Sequence, residues 1–269
     1  MTQSFQVRIA DSTISVSSAH AEAFALLERY VYPSAPRRRG AAPGAELSAA
    51  IVWRNSEFDL VANSAVLASA ANAIDLIPTL IHALDDAVVE RLTTLHAVHA
   101  GAVVLHGRAL LFPGSTHSGK SSLVAQMLRR GAAYCSDEYA LLDAEGRVHA
   151  YPRPLLARDT HGVQTPLTAE DCGATTADAP APVGWLIALD YRRDGEWSLA
   201  PMEQSLALLT LLKNTPHALA DRPQLVPALE RAVAHARCYT GKRGEAGFAA
   251  EEILALVAEA PELPETGQG

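Results

Sequence analysis

The sequence predicts an α/β fold with a mixed β-sheet, and three observations lead to this prediction. Residues 114–121 read Gly-Ser-Thr-His-Ser-Gly-Lys-Ser, which fits the pattern G-x-x-x-x-G-K-[ST]. The apolar run 109–112 precedes the pattern as a buried strand would, and residues 122–130 follow it with apolar side chains at helical spacing. A second apolar run, 102–105, is joined to the first only through residues 106–108, and so short a link requires an antiparallel hairpin.

The pattern at 114–121 predicts a loop that binds the phosphates of a nucleotide. Successive backbone N–H groups of such a loop curl around phosphate oxygens, and the helix that follows directs its positive end at the same anion. Lys120 is expected to reach the β- and γ-phosphates and the Ser121 hydroxyl to bind Mg²⁺, so the predicted cofactors are ATP and Mg²⁺. The predicted nucleotide-binding residues are Gly114, Ser115, Thr116, His117, Ser118, Gly119, Lys120, Ser121 and Ser122.

The composition narrows the class of protein. The chain has 269 residues, of which 49% are hydrophobic and 19% charged, and this balance suits a globular protein with a buried core. The formal net charge of −8 argues against a broad nucleic-acid-binding surface. One basic cluster, Arg37 to Arg39, lies between Pro36 and Gly40; we interpret it as a solvated loop, with substrate docking as the alternative.

The cysteines and the N-terminus bear on the compartment. Cys135, Cys172 and Cys238 form no C-x-x-C pair and are odd in number, which argues against a disulfide framework and fits a reducing cytosol. The first residues lack the apolar region of a signal peptide. The sequence has no run of about 18 apolar residues, so no membrane span is predicted. A cytoplasmic protein is therefore expected.

Residues 1–90 are expected to form a small α+β region. The Pro-, Gly- and Arg-rich stretch 33–44 is typical of a loop, and apolar residues from Ile74 to Leu92 follow the spacing of a long helix. Strands are predicted at 5–9 and 13–16, a helix at 21–30, and a hairpin formed by 50–54 and 57–62 across Asn55-Ser56.

Residues 91–260 are expected to form the domain that carries the P-loop, and 261–269 a loose tail. The Thr-, Ala-, Pro- and Gly-rich segment 160–182 predicts a long loop, either a lid or a disordered segment. The other predicted elements are a hairpin of 139–142 and 147–151, a buried strand at 184–189, and helices around 206–212, 225–234 and 249–258.

Two acidic positions are candidates for chemistry beside the phosphates. Asp137, with Glu138 after it, follows the predicted strand 131–136, and ligands of open α/β sheets bind at the carboxyl ends of strands. The Asp137 carboxylate is therefore a candidate to hold Mg²⁺ or to accept a hydroxyl proton. Asp190 ends an apolar run, as the acid of a Walker B strand does, and an acidic turn residue is the alternative.

Three histidines, His96, His99 and His106, lie close together in the sequence. His99 and His106 flank a single predicted strand, so their side chains need not converge, and a zinc site is not expected. His117 lies inside the P-loop and is expected to face solvent or lie near the nucleotide without a catalytic role.

Three segments together resemble the bacterial HPr kinase/phosphorylase family. They are His99-Ala-Gly-Ala-Val-Val, the P-loop from Phe112 to Ser122, and Arg130-Gly-Ala-Ala-Tyr-Cys-Ser-Asp137-Glu138. The resemblance covers residues 96–158 and implies a kinase fold related to phosphoenolpyruvate carboxykinase, with a mixed sheet. It further implies that ATP and Mg²⁺ serve to phosphorylate a serine on a protein, and that relatives often assemble into homo-oligomers.

The resemblance also implies roles for individual residues. Asp137 matches the general base, Glu138 its acidic neighbour, and His99 the histidine near the transferred phosphate. Lys120 and Ser121 match the phosphate and metal ligands. The implied catalytic set is Asp137, His99 and Lys120, and the implied metal ligands are Ser121, Asp137 and Glu138.

The chain departs from true HPr kinases after this region. The segment Arg-Gly-[LI]-Gly-[IL]-Ile is replaced by Tyr151-Pro-Arg-Pro-Leu-Leu-Ala-Arg158, so neither HPr as substrate nor phosphorylase activity is expected. The chain looks like the shorter HPr-kinase-related group, some of whose members phosphorylate precursor peptides of ribosomal peptide clusters, including lasso peptides. Arg153 and Arg158 are candidates to hold a phosphate or a peptide carboxylate, with surface salt bridges as the alternative.

Two alternatives to a serine kinase stay open from the sequence. One is a small-molecule or carboxykinase-like phosphotransferase. The other is a regulatory module that binds nucleotide without transferring phosphate.

Overall fold

A computed structural model describes residues 1–40, 45–115, 118–158, 162–216 and 222–259 of the chain. Within these ranges the protein is a mixed α/β structure with sixteen strands and six α-helices. It divides into two compact units: unit 1 comprises Met1–Thr93 and Pro152–Thr168, and unit 2 comprises Thr94–Tyr151 and Ala169–Gly269. None of the described helices is long and apolar enough to cross a membrane.

The elements follow one another along the chain with short connections. The strands are β1 (Gln3–Ile9), β2 (Ser12–Ser18), β3 (Arg37–Arg39), β4 (Leu47–Arg54), β5 (Glu57–Ala62), β6 (Ala65–Ala70), β7 (His96–Leu105), β8 (Arg108–Pro113), β9 (Ala133–Ser136), β10 (Tyr139–Leu142), β11 (Arg147–His149), β12 (Leu155–Arg158), β13 (Gln164–Leu167), β14 (Ala181–Tyr191), β15 (Ser198–Pro201) and β16 (Arg237–Arg243). The helices are α1 (Ala21–Tyr30), α2 (Ile77–Arg91), α3 (Lys120–Leu128), α4 (Gln204–Lys213), α5 (Leu225–Ala234) and α6 (Ala246–Glu259). Two short 3-10 turns cover Ala73–Leu76 and Glu170–Cys172.

Unit 1 is built on a six-stranded sheet in the order β3-β1-β2-β4-β5-β6. Alternate residues of β2 are buried, as expected for a strand with one face on the core, while Phe5, Gln6 and Val7 of β1 are buried in succession. Helix α1 presents Phe24 and Leu27 to that core, and α2 adds Leu80 and Leu84. The predicted strands and helices of this region are confirmed.

Two-residue turns fix the register of the hairpins in unit 1. Asn55 and Ser56 both have positive φ, at 48° and 68°, and join paired Arg54 and Glu57. This is the geometry of a tight hairpin turn, in which Asn is favoured because it tolerates the left-handed region. The hairpin predicted across Asn55-Ser56 is confirmed.

The prediction of a loop at 33–44 is wrong in part. Residues Arg37–Arg39 form the edge strand β3, which pairs antiparallel with β1, and 41–44 lie outside the described residues. The Arg37 guanidinium stacks 4.7 Å from the Phe5 ring centroid and donates a 3.0 Å hydrogen bond to the Val31 carbonyl. The first arginine of this cluster therefore packs on the sheet, while Arg38 and Arg39 are exposed.

Unit 2 is built on a mixed eight-stranded sheet. The order is β11-β10-β7-β8-β14-β16-β15, with β9 paired beside β10 on β7, and β11 also pairs with β14. Strands β8, β14 and β16 run parallel, and β7 lies antiparallel to β8 across a turn at His106-Gly107. The mixed sheet and the antiparallel hairpin predicted from the short link are confirmed.

The carboxyl ends of β8, β14 and β16 meet at one edge of this sheet, because the three strands are parallel neighbours. Helix α3 starts at that edge and packs closely on β7. A Cβ atom at Gly101 would lie only 2.7 Å from Cγ2 of Val124, so the strand needs glycine where the helix crosses it. This contact positions the start of α3 above the sheet.

The prediction of a long loop at 160–182 is also wrong in part. Residues Gln164–Leu167 form β13, which pairs with β12 within unit 1, while 159–161 lie outside the described residues. In unit 2, Thr175 accepts a 2.8 Å hydrogen bond from the Tyr134 N–H, and Ala177 donates one of 2.8 Å to the Tyr134 carbonyl. The segment after the 3-10 turn is thus attached to the edge of β9. The predicted tail, 261–269, lies outside the described residues.

Candidate functional site

The motif at 114–121 lies between a strand and a helix, as the sequence predicts. Strand β8 ends at Pro113, helix α3 starts at Lys120, and Gly119 caps the helix with a left-handed φ of 75°. The first intrahelical bond runs from the Leu123 N–H to the Gly119 carbonyl, so the amides of the first turn have no partner within the helix. Such a helix start favours an anion. Thr116 and His117 lie outside the described residues.

Lys120 folds back over its own loop. Its Nζ donates hydrogen bonds of 2.9 Å to the carbonyls of Gly114 and Ser115, and the residue is 7% exposed. Nζ also lies 3.4 Å from Nε2 of His99. The P-loop lysine is therefore held directly above the loop that is predicted to bind phosphate. Ser121 is partly buried and Ser122 exposed in the same first turn of α3.

His99 joins the P-loop lysine to an acid. It lies within β7 opposite Tyr139 of β10, and its backbone N–H donates a 2.6 Å hydrogen bond to the Asn214 carbonyl. Its Nε2 lies 2.5 Å from Oε1 of Glu138. Nε2 cannot donate a hydrogen bond to the carboxylate and accept one from the ammonium at the same time. Because its distance to Glu138 is the shorter of the two, a hydrogen bond between Nε2 and the Glu138 carboxylate is favoured.

Asp137 and Glu138 form a two-residue bend between β9 and β10, which follow one another along the same edge of β7. The Ser136 hydroxyl accepts the N–H groups of Glu138 at 3.2 Å and of Tyr139 at 3.1 Å, which fixes the bend. The pairing with β7 places this bend beside His99 and Ala100. The predicted acid pair and the predicted histidine are therefore brought together from positions 39 residues apart.

The two acids differ in exposure. Asp137 is fully buried, and Oδ1 accepts a 3.2 Å hydrogen bond from the Tyr134 hydroxyl. The Glu138 side chain is 21% exposed and faces His99. Glu138 is therefore the more exposed of the two carboxylates. Nothing in the sequence pointed to Tyr134 as the partner of Asp137.

The structure does not bring Asp190 to the P-loop. Ile187 and Leu189 line a small cavity with Ser118 and Lys120, so the alternation of β14 directs Asp190 to the opposite face. Its carboxylate is more than half exposed and forms a 3.0 Å ion pair with Arg192. Asp190 lies within β14, one residue before its end, so the alternative of an acidic turn residue does not describe it either.

The remaining histidines lie apart from His99. His96 starts β7 and is buried, and burial, helped by the charge of Arg222, lowers the pKa of its imidazole. His106 lies in the turn after the same strand. Within the described ranges no three His, Cys, Asp or Glu side chains are grouped as metal ligands would be.

The two arginines proposed to contact substrate belong to unit 1. Arg153 is 2% exposed, and its Nε lies 3.0 Å from Oδ2 of the equally buried Asp85. This ion pair favours a structural role for Arg153. Arg158 is the exposed last residue of β12.

One residue beside the P-loop gave no signal in the sequence. Arg243, the last residue of β16, donates from Nη2 to the carbonyls of Ser118 and Gly119. These contacts span 125 and 124 residues of chain. Only the pairing of β8, β14 and β16 brings the two segments to one edge, so no local pattern predicts the contact.

No protein-family model matches the chain, and no curated protein matches it significantly.

The side chains at this edge suit a nucleotide–magnesium complex in their chemistry. Mg²⁺ takes oxygen ligands and keeps several waters and phosphate oxygens, so it needs only one or two protein donors. The Ser121 hydroxyl and the carboxylates of Asp137 and Glu138 are donors of this type. A cluster of three protein ligands is not required for such a complex.

Proposed function

We propose that the protein is an ATP- and Mg²⁺-dependent serine kinase that phosphorylates a protein or peptide, similar to HPr kinase but acting on another substrate. One observation carries the proposal. The ammonium of Lys120 lies 3.4 Å from His99, and His99 lies 2.5 Å from the carboxylate of Glu138, next to Asp137. A phosphoryl transferase combines a cation that binds phosphate with nearby acids that hold Mg²⁺ or orient the acceptor hydroxyl.

Binding of the triphosphate rests on the P-loop. The amides at the start of α3 offer hydrogen-bond donors and the positive end of the helix dipole. Lys120 is bound to two loop carbonyls and exchanges these neutral acceptors for anionic phosphate oxygens, which form stronger hydrogen bonds with an ammonium. The same movement brings its charge to the group that is transferred.

Transfer requires a base for the acceptor hydroxyl. Asp137 is assigned this role by its match to the HPr kinase motif. Because Asp137 has no exposed surface in the described conformation, its carboxylate must become accessible when the acceptor binds. His99, which contacts both Lys120 and Glu138, is suited to stabilise charge on the transferring phosphoryl group.

Magnesium would be held by Ser121 with the acid pair. Bound there, it would neutralise charge on the β- and γ-phosphates. Glu138, which is partly exposed, is the more accessible of the two carboxylates for this purpose.

The test of the acid's role uses one conservative variant. Asp137→Asn is expected to bind ATP in the absence of Mg²⁺ with wild-type affinity and to lose phosphate transfer by about 10²-fold or more, since it keeps shape but loses the base. The exposed Asp178→Asn is the matched control. Transfer at the wild-type rate by Asp137→Asn would remove this assignment.

The burial of Asp137 favours a second candidate function. A nucleotide-binding regulatory module needs no accessible base, and a wholly buried acid hydrogen-bonded to Tyr134 suits a structural role. This candidate predicts measurable ATP binding without a phosphorylated acceptor. The two functions are separated by offering labelled ATP together with lysate and candidate precursor peptides from the host.

A further inference from the structure

Arg243 is a buried cation that contacts the P-loop from the end of β16. The residue is 2% exposed. Its Nη2 donates hydrogen bonds of 3.1 Å to the Ser118 carbonyl and 2.7 Å to the Gly119 carbonyl, and Nη1 donates one of 3.0 Å to Gly244. All three acceptors are main-chain oxygens, so the guanidinium is bound by dipoles.

Arg243 forms no ion pair with a carboxylate of the described residues, and the Tyr191 ring stacks 4.9 Å from the guanidinium carbon. Burial lowers the pKa of Arg243, while the charges of Tyr191 and Glu245 act in the opposite direction. An arginine stays charged at neutral pH. Its hydrogen bonds go to neutral carbonyls, so a bound anion nearby would offset part of the cost of burying the charge.

The geometry of the peptide bond links Arg243 to the phosphate site. In a trans peptide the carbonyl of one residue and the N–H of the next point in opposite directions. Arg243 holds the Ser118 and Gly119 carbonyls on its own side of the loop. The N–H groups of Gly119 and Lys120 therefore point away from Arg243, toward the side on which a P-loop binds phosphate.

The glycine at 119 fits this contact. A Cβ atom there would lie 2.2 Å from Nη2 of Arg243, so the guanidinium occupies the space of a side chain. Beside it, Ser118, Lys120 and Arg243 line a small cavity, and the Ser118 Oγ is buried without a hydrogen-bond partner among the described residues. The loop is thus packed against Arg243, and any side chain at position 119 would require the guanidinium to move.

We propose that Arg243 is a positioning residue of the nucleotide site: it holds the Ser118 and Gly119 carbonyls so that the loop amides face the phosphates, and it adds a buried positive charge beside the loop. The inference rests on the proposed function only for the identity of the ligand. The hold on the loop is a property of the protein without nucleotide.

The experiment compares Arg243→Met and Arg243→Lys with the wild-type protein. Arg192→Met is the matched control, since Arg192 lies at the same sheet edge but is exposed and paired with Asp190. Circular dichroism and thermal melting select folded variants, and Arg243→Lys serves if Arg243→Met does not fold. Two readouts follow: ATP affinity by calorimetry, and hydrogen exchange of the Gly119 and Lys120 amides without nucleotide.

We expect Arg243→Met to weaken ATP binding by about tenfold to a hundredfold, Arg243→Lys by less, and Arg192→Met by no more than about twofold. The loss should be larger for ATP than for AMP, because the charge term grows with the charge of the ligand. A merely structural role would lower the melting temperature without this dependence on ligand charge. Loop amides should exchange faster in Arg243→Met.

Folded Arg243 variants that bind ATP like the wild-type protein would overturn the inference while leaving the proposed function intact. If the wild-type protein binds no ATP, the proposed function fails instead, and hydrogen exchange then decides the inference. Faster exchange of the two amides in Arg243→Met supports the positioning role, and unchanged exchange overturns it.

Discussion

The Nε2 atom of His99 lies 2.5 Å from Oε1 of Glu138, although the residues are 39 positions apart in the chain. The contact exists because β7 pairs with β10 and also with β8, the strand that leads into the P-loop. The imidazole ring of His99 thus connects the acid pair, Asp137 and Glu138, to Lys120. The His99–Glu138 pair is thus the geometric link between the loop that is predicted to bind phosphate and the acid pair.

The first prediction concerns this pair. His99→Gln and Glu138→Gln are each expected to lower phosphate transfer by about tenfold or more, because each removes an oriented polar group beside Lys120. Since the two side chains act together, the transfer rate of the double variant should lie within about twofold of the rate of the slower single variant. Initial rates of the four proteins give the answer.

Glu145→Gln is the control for the loss of an acid, because Glu145 is largely exposed in the turn before β11. Losses that simply multiply in the double variant would mean that His99 and Glu138 act independently.

The second prediction concerns the glycine at the start of α3. Gly119→Ala is expected to weaken ATP binding by at least about tenfold, because its φ of 75° is left-handed and its Cβ would lie 2.2 Å from Nη2 of Arg243. Gly131→Ala is the matched control: its φ of 97° carries similar backbone strain, but no atom lies within 4 Å of the added Cβ. Calorimetric titration with ATP compares the two.

Both variants should lose about 1–2 kcal/mol of unfolding free energy from backbone strain. Equal ATP affinities for the two alanine variants would show that the contact with Arg243 does not shape the loop.

The third prediction is a dependence of stability on pH. Burial by itself raises the pKa of Asp143, but hydrogen bonds from His149 and from the backbone and side chain of Arg147 outweigh it, so the folded pKa is lowered. A carboxyl with a lowered folded pKa stabilises the protein above its unfolded pKa, about 3.9, and this contribution is lost as the pH falls through the folded value.

Asp143→Asn should therefore reduce the free energy of unfolding by about 1–2 kcal/mol at pH 7. The difference from the wild-type protein should shrink as the pH falls below about 4 and through the lowered pKa of the folded state, where the carboxyl of the folded protein becomes protonated. Urea unfolding at several pH values measures it, with the exposed Asp178→Asn as control. A difference that stays constant down to pH 2.5 would contradict the assigned hydrogen bonds.

Local signals account for the parts of the fold that the sequence predicts. Asn55-Ser56 and His106-Gly107 are residues that adopt positive φ, and both form the expected hairpins. Asn63-Ser64 also has positive φ and joins β5 to β6. Strand β6 does not alternate apolar and polar residues, and its Val66 and Leu67 are exposed, so the sequence does not predict it. The sequence does not predict strand β3, because three consecutive arginines are typical of a solvated loop.

The site divides in the same way. The P-loop, the acid pair and His99 are readable as motifs, and the structure brings Lys120, His99 and Glu138 into contact. The sequence does not predict the contact of Arg243 with the loop, because that contact depends on strand pairing. The hydrogen bond from Tyr134 to Asp137 joins residues three positions apart, but no motif marks it. The kinase activity stays a proposal that rests on these contacts and on the motif resemblance.

The central claim is that the P-loop serves phosphate transfer to a hydroxyl. The most direct measurement incubates the protein with γ-labelled ATP, Mg²⁺ and host lysate or precursor peptides, comparing wild type with Lys120→Ala and the exposed control Lys213→Ala. The proposal predicts a labelled serine with wild type and Lys213→Ala, and a rate lower by about 10²-fold or more with Lys120→Ala. ATP binding by the wild-type protein with no labelled acceptor, or equal labelling by Lys120→Ala, would contradict it.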